Sequence, residues 1–353
     1  MFKATQLEIK KAINSMNYIT RKTSIPVLKN VVLKTQHNVI TLESTNLESF
    51  IIYEISGTIT QCNKGVMVDG ATFRKLILNA ASKHITVELI EGDSPMISIN
   101  GIRIPVVTNI DDFPAHDADM TELTFVHIDN FISATRSVWP YGTDSKSPYC
   151  KVVQFHTEGN RLTITSTDNV AVMQAMFEIG ENTLSSKFNV SKAEMVFLHK
   201  IMTSSWACVA ETTKYCVIAT DKFTYVTRLI DCIFPELNGA LSLDGYREQY
   251  LSSGITSTVS ELLPLCNKGE GLLFHFGDDA ITIEYEDNQR EFKTVCGLGV
   301  SILLDGKLFN EIISKFKCTD VLIALKDSTH LMNFRHDHLR AYLMPMKMNE
   351  ADS

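Results

Sequence analysis

The sequence predicts an α+β fold assembled from three copies of one strand-rich unit with two helices each. Three sets of matched segments carry that prediction. The first is "ITLESTN" (40–46), "LTITSTD" (162–168) and "ITIEYED" (281–287), whose Thr41, Thr163 and Thr282 fall about 120 residues apart. Each alternates apolar and polar residues, the period of a half-buried strand. The second is "VDGATFRKLI" from Val68, "VSKAEMVFL" from Val190 and "LDGKLFNEII" from Leu304, each a strand end, a cap and a helix. The third is the strand exits "TNIDDFP", "LIDCIFP" and "AYLMP", closing on Pro114, Pro235 and Pro345. Proline has no N–H for a ladder, so it marks where a strand stops. One shared period of this size describes a tandem repeat.

The helices follow in order. Thr5 and Glu8 form a capping box, and Ile9, Ala12, Ile13, Met16 and Ile19 make a helical apolar stripe behind it. Asp69, Ser191 and Asp305 occupy cap positions, where a side-chain oxygen accepts an orphan helix N–H. Ser191 with Glu194 has the spacing of another capping box. In the second copy the spacing predicts a helix over Ile128 to Val138, and in the third one over Ile255 to Leu263, ended by Pro264. The seams fall near residues 118–121 and 237–246, giving domains 1–119, 120–238 and 239–353.

A chain of 353 residues exceeds one ordinary core, and 44% hydrophobic with 21% charged residues is a globular balance. No apolar run reaches the ~18 residues of a membrane span. The opening "MFKATQLEIKKAIN" lacks the apolar region and cleavage site of a signal peptide, so an intracellular protein is expected. The eight cysteines are scattered without a CxxC pair, which fits buried thiols and argues against a metal site.

Net charge is −8, too acidic for non-specific wrapping on nucleic acid unless the cations are segregated on one face. The polar sides of the helices suggest that segregation. Lys10 and Lys11 lie off the first apolar stripe, Arg74 and Lys75 sit in the second helix, and Arg136 in the third. Lys192 and Lys200 flank Met195 and Leu198 in the fourth, and Lys307 and Lys315 flank Leu308 and Ile312 in the last. Helices lining one wall in this way would touch phosphates without reading bases. No recognition helix, zinc-finger spacing or aromatic RNA-binding signature is present.

The three-copy plan resembles the bacterial DNA polymerase sliding clamp, the beta subunit of the replicative polymerase. The matching stretches are "TRKTSIPVLKNVVLKT" (20–35), "FHTEGNRLTITSTDNVAV" (155–172), "LIDCIFPEL" (229–237) and the ending "YLMPMKM" (342–348). The resemblance implies a head-to-tail homodimer. Six clamp-type domains would close a ring, with antiparallel sheets outside and helices inside around double-stranded DNA. Arg21 and Lys22 match the loop where the family has an inner basic residue. Ring closure would use residues near Arg74 and Ile104 on one side and Leu263 and Leu265 on the other. Polymerase and clamp loader would dock short linear motifs in a cleft formed by Cys150, Thr167, Val170, Val172, Pro235, Ala240, Tyr342, Met344, Pro345 and Met346. That gives the ending a second reading beside a last core strand, because methionines repack around different partners.

One departure stands out. Where the family commonly has Gly-His-Arg-Leu, this chain has Asn169, Val170, Ala171 and Val172. The rim loses an imidazole and a guanidinium, and with them hydrogen-bond donors. A more apolar groove is expected, and a phage, plasmid or paralogous clamp stays open. Two other classes were weighed. An adaptor that recruits proteins without encircling DNA remains an alternative. An enzyme needs a constellation that is absent: no nucleophile elbow, phosphate loop, HExxH or paired-carboxylate motif occurs. "STDN" (166–169) has "STN" as its counterpart in the first copy, so turn chemistry accounts for it. No cofactor and no membrane partner is expected.

Overall fold

The computed structural model describes residues 1–21, 23–107, 110–115, 126–129, 131–138, 146–179, 186–237, 241–252, 254–267, 269–294, 297–316 and 320–347. By its internal contacts the chain divides into two compact units, Met1–Phe131 with Val196–Leu229, and Ile132–Met195 with Ile230–Ser353. Six helices are described: α1 (Gln6–Thr20), α2 (Gly70–Asn79), α3 (Phe131–Val138), α4 (Lys192–Ile201), α5 (Ile255–Leu262) and α6 (Gly306–Phe316). No described helix is long and apolar enough to cross a membrane.

The first unit holds an eight-stranded antiparallel sheet and a five-stranded one. The larger sheet runs from strand Asn63–Asp69 through Asn30–Gln36, Val39–Thr45 and Ser49–Ile55 directly into Phe223–Arg228, Tyr215–Ala219 and Ala207–Glu211. Strand Ser49–Ile55 therefore pairs with a strand about 170 residues away, in the register Thr224 opposite Ile52. Tyr53 stacks on Phe223 at 5.9 Å across that join. The second unit repeats the device. Strand Ala171–Glu178 pairs with Leu339–Leu343, which continues the sheet into Met332–His336, Asp320–Leu325 and Arg247–Ser252. A four-stranded sheet, Asn288–Lys293, Ala280–Tyr285, Leu272–Phe276 and Val300–Leu304, completes it.

The helix caps are formed as the sequence predicts. The Thr5 hydroxyl accepts from Glu8 N at 3.3 Å, and Ile9, Ala12, Ile13, Met16 and Ile19 behind it are all buried. Asp69 Oδ1 accepts from Thr72 N at 2.8 Å, Ser191 Oγ from Ala193 N at 3.2 Å and Asp305 Oδ1 from Leu308 N at 3.0 Å. Two boundaries differ. Helix α3 begins at Phe131, because Val126–Ile128 is drawn into a strand against Ala207–Glu211. Helix α5 ends at Leu262, and Pro264 sits within a 3-10 turn, Leu263–Leu265.

The residue after each cap sets the three repeats apart. It is glycine at 70 and 306 and lysine at 192. A Cβ on Gly70 would lie 2.7 Å from the Lys29 carbonyl oxygen, and one on Gly306 would lie 2.4 Å from Leu272 Cδ1. Backbone and core crowd this position in the first and third repeats, so only glycine fits there.

Candidate functional site

The described residues expected to form an apolar cleft all fall in the second unit, on and beside a turn. Strand Arg161–Thr167 reverses into Ala171–Glu178 over residues 168–170. The Thr167 hydroxyl donates to the Ala171 carbonyl at 2.8 Å and accepts from Asn169 N at 3.1 Å. Asp168 Oδ1 accepts from Val170 N at 2.9 Å and Ala171 N at 2.7 Å. Asn169 takes the left-handed conformation, φ 80°. The first repeat builds the same turn from other residues. The Thr45 hydroxyl donates to Ser49 O at 3.0 Å, Asn46 Oδ1 accepts from Glu48 N at 3.1 Å and Ser49 N at 2.8 Å, and Leu47 has φ 77°. The "STDN" stretch is thus Asx-type turn chemistry.

This turn presents Val170, which is 42% exposed. The last strand runs beside it, with Tyr342 opposite Val172. Past the strand end Met344 N donates to the Val170 carbonyl at 2.8 Å, and Met344 itself is 49% exposed. Backbone pairing therefore brings Thr167, Val170, Val172, Tyr342 and Met344 together. Val172, Pro235, Pro345 and Met346 are half-buried, while Cys150, Thr167 and Tyr342 are buried beneath them. Met346 is tied down rather than presented. Its N–H donates to Leu303 O at 2.8 Å, and its Sδ lies 2.7 Å from where a Cβ on Gly271 would stand. Ala240 lies outside the described residues.

Three neighbours were not anticipated from the sequence. Tyr149 donates its hydroxyl to Asn169 Oδ1 at 2.6 Å and meets Phe234 edge-on at 6.4 Å, which links the turn to the segment of Pro235. Ile233, two residues before Pro235, is almost fully exposed. An isoleucine between a cysteine and a phenylalanine gives no sequence signal for exposure, since all three types are usually buried.

Lys192 corrects an expectation. It is 2% exposed, and its Nζ donates to the Thr167 carbonyl at 3.2 Å, under the turn. Burial pulls its pKa down to about 8, opposed by Cys150 and Asp168. Its buried, bonded ammonium is not available to a phosphate, so Lys192 leaves the set of cations expected to face DNA. The reason is its place at the first helical position of α4, where the side chain turns inward to the end of strand Arg161–Thr167, whereas Lys200 is exposed.

In the first unit the predicted cations converge. Lys11, Arg21 and Lys200, with Asn14, Tyr18 and Phe197, line a pocket of about 480 Å³ that has no carboxylate in its lining. Tyr18 stacks on Phe197 at 4.2 Å, and the Arg21 guanidinium lies over the Tyr18 ring at 5.4 Å, a cation–π contact that holds it in place. Arg74 Nε donates to Asn14 Oδ1 at 3.2 Å, which brings it to the same group. Lys10 and Lys75 are exposed on these helices. In the second unit Arg136 and Lys307 are exposed and Lys315 is half-buried. Lys22 lies outside the described residues. Three cations around a carboxylate-free pocket make a local positive potential in an acidic chain.

Of the residues expected at a ring interface, Ile104 has its side chain buried within its own chain. It lies in strand Ile102–Pro105 at the edge of the five-stranded sheet, opposite Ile97, and is only 7% exposed. The parity of the strand turns Ile104 to the core and Ile102 to solvent. Arg74 and Leu263 are half-buried and Leu265 is exposed. Among the described residues no group of three or more His, Cys, Asp or Glu side chains is placed to hold a metal ion.

The chain was compared with known proteins. The sequence model of the DNA polymerase III beta subunit, N-terminal domain, matches residues 3–117. The beta sliding clamp of Vibrio cholerae is 19% identical, over 93% of this chain and 94% of that protein. A DnaN sliding clamp from Pseudomonas aeruginosa, bound to griselimycin, superposes with TM-score 0.85 at 15% identity, over 98% of this chain and 99% of that one. A Helicobacter pylori beta clamp bound to a DNA ligase peptide superposes with TM-score 0.83 at 14% identity, again over 98% and 99%. At such identities the structural likeness establishes the fold along the whole length.

Proposed function

We propose that this chain is a divergent member of the DNA polymerase III beta subunit family of sliding clamps, and that it encloses duplex DNA and tethers replication or repair proteins to it. The role is non-catalytic. Three clamp domains per chain, at 1–119, 120–238 and 239–353, would pair head to tail with a second chain into a closed ring. The observation that carries this reading is the gathering of Lys11, Arg21 and Lys200 around one carboxylate-free pocket on helices α1 and α4. Such a surface meets a polyanion through charge alone, so the protein can move along the duplex. Ring closure predicts a species of about twice 39.6 kDa in sedimentation.

Partners are proposed to dock at Val170 and Met344. A peptide bound to the Helicobacter pylori relative supports a peptide as occupant here. The loss of the imidazole and guanidinium at the rim favours apolar side chains over polar or terminal groups of the partner. This feature also favours a second reading, a clamp of a mobile element with its own partner motif. Fluorescence anisotropy with labelled polymerase-tail peptides tests the docking site. Val170→Asp and Met344→Ala are expected to weaken binding by about tenfold or more, the loss on truncating a central anchor. Met346→Ala should weaken it less, since that side chain packs on Gly271. Peptides that bind unchanged to Val170→Asp and Met344→Ala would remove the assignment.

A further inference from the structure

The lysine beneath the docking turn has no counterpart in the other repeats. Gly70 and Gly306 occupy the equivalent positions, and neither has room for a side chain. In the second repeat the position opens inward, and Lys192 fills it with a buried ammonium. The turn does not require that ammonium for closure. The first repeat closes the same turn, Thr45 to Ser49, with the same local hydrogen bonds. The first repeat also makes the same bond to the neighbouring strand, Arg228 N to the Glu48 carbonyl at 2.9 Å. What the second repeat changes is the side chains at that junction: exposed Val170 and Met344 stand where the first repeat has Glu48 and Arg228. The lysine accompanies the docking surface and not the turn as such.

We propose that Lys192 is a positioning residue of the partner cleft, whose ammonium holds the base of the Thr167–Ala171 turn and thereby the Val170–Met344 pair in the arrangement that receives a partner peptide. The inference rests on the docking reading above. Among the described residues the Thr167 carbonyl is the one hydrogen-bond acceptor of Lys192 Nζ. The titratable groups facing it are the Asp168 carboxylate, from the turn, and the Cys150 thiol, from the 3-10 turn Pro148–Lys151. A desolvated ammonium hydrogen-bonds a carbonyl more strongly than a neutral amine does, so loss of the proton loosens the turn. Burial brings that proton loss within reach, with the pKa at about 8.

Two opposite pH trends identify the role. Between about pH 8 and the ordinary lysine value the unfolded chain holds more protons than the native one, so this group's contribution to global stability rises with pH. Over the same range the grip on Thr167 weakens. Wild type minus Lys192→Met should therefore gain global stability from pH 7 to pH 9.5 while losing amide protection at Ala171 and Met344. Taking the difference cancels the groups that lie too far from Lys192 to interact with it.

The test uses the full-length protein, fluorescein-labelled polymerase-tail peptides and hydrogen exchange. Lys192→Met is expected to bind about tenfold more weakly, with faster exchange at Ala171 and Met344, and Lys192→Arg to recover a large part of both. Wild type at pH 9.5 should approach Lys192→Met, which stays flat. Unchanged peptide binding and unchanged exchange in Lys192→Met overturn the inference, as does a pH profile shared by wild type and variant. Should Lys192→Met not fold, the wild-type pH series and Lys192→Arg decide. If Met344→Ala leaves peptide binding untouched, the docking reading has failed, and the exchange data still say whether Lys192 holds the turn.

Discussion

Reversing Lys11, Arg21 and Lys200 together to glutamate is expected to lower affinity for duplex DNA by at least about 100-fold at low salt and to flatten the salt dependence. Each phosphate-contacting cation contributes about 0.9 to the slope of log affinity against log salt on double-stranded DNA, so removing three should reduce the slope by about 2.7. The effect is large because the three groups surround one pocket with no carboxylate to offset them. Reversal also sets three anions against the polyanion. The Lys192→Met protein serves as the control, since its ammonium is buried and bonded to Thr167. It should bind duplex DNA as the wild type does. Equal losses in the two proteins would refute the assignment of the pocket.

Phe309→Ala is expected to cost about 3–5 kcal/mol of stability, the range for deleting a fully buried phenyl ring. Phe309 is 0% exposed on helix α6, 4.7 Å from the Phe274 ring and 5.8 Å from Phe334. These rings bridge the helix and both sheets of the second unit. Close packing leaves little room for collapse around the cavity, so the transfer and cavity terms add. Phe309→Leu keeps most of the volume and should lose much less. Urea unfolding followed by circular dichroism gives both values. A loss below about 1 kcal/mol for the alanine variant would mean that the three rings do not form one packed core.

The caps and the α1 stripe were legible in the sequence because each depends on local spacing. Asp69, Ser191 and Asp305 cap helices through bonds that reach only two or three residues. The grouping of Thr167, Val170, Val172, Tyr342 and Met344 followed from family resemblance and agrees with the strand pairing. Three things depended on distant partners and were not legible. Strand Phe223–Arg228 pairs with Ser49–Ile55, and nothing in either segment names the other edge. Ile104 and Ile102 share one strand, and only its pairing with Met96–Ile99 decides which isoleucine faces the core. Lys192 and Lys200 sit on one helix and look alike in a charge pattern. The first is drawn inward by a carbonyl about 25 residues earlier, and the second lines the cationic pocket.

Topology separates a ring from a surface that merely adheres to DNA. Labelled protein is loaded on a nicked circular plasmid, washed at a salt concentration that strips surface-bound protein, and followed by gel filtration before and after cutting the circle once. Enclosure predicts co-elution with the intact circle and release once it is linear, because a ring can slide off an end. Equal retention on circular and linear plasmid, or loss from both in the wash, would contradict it.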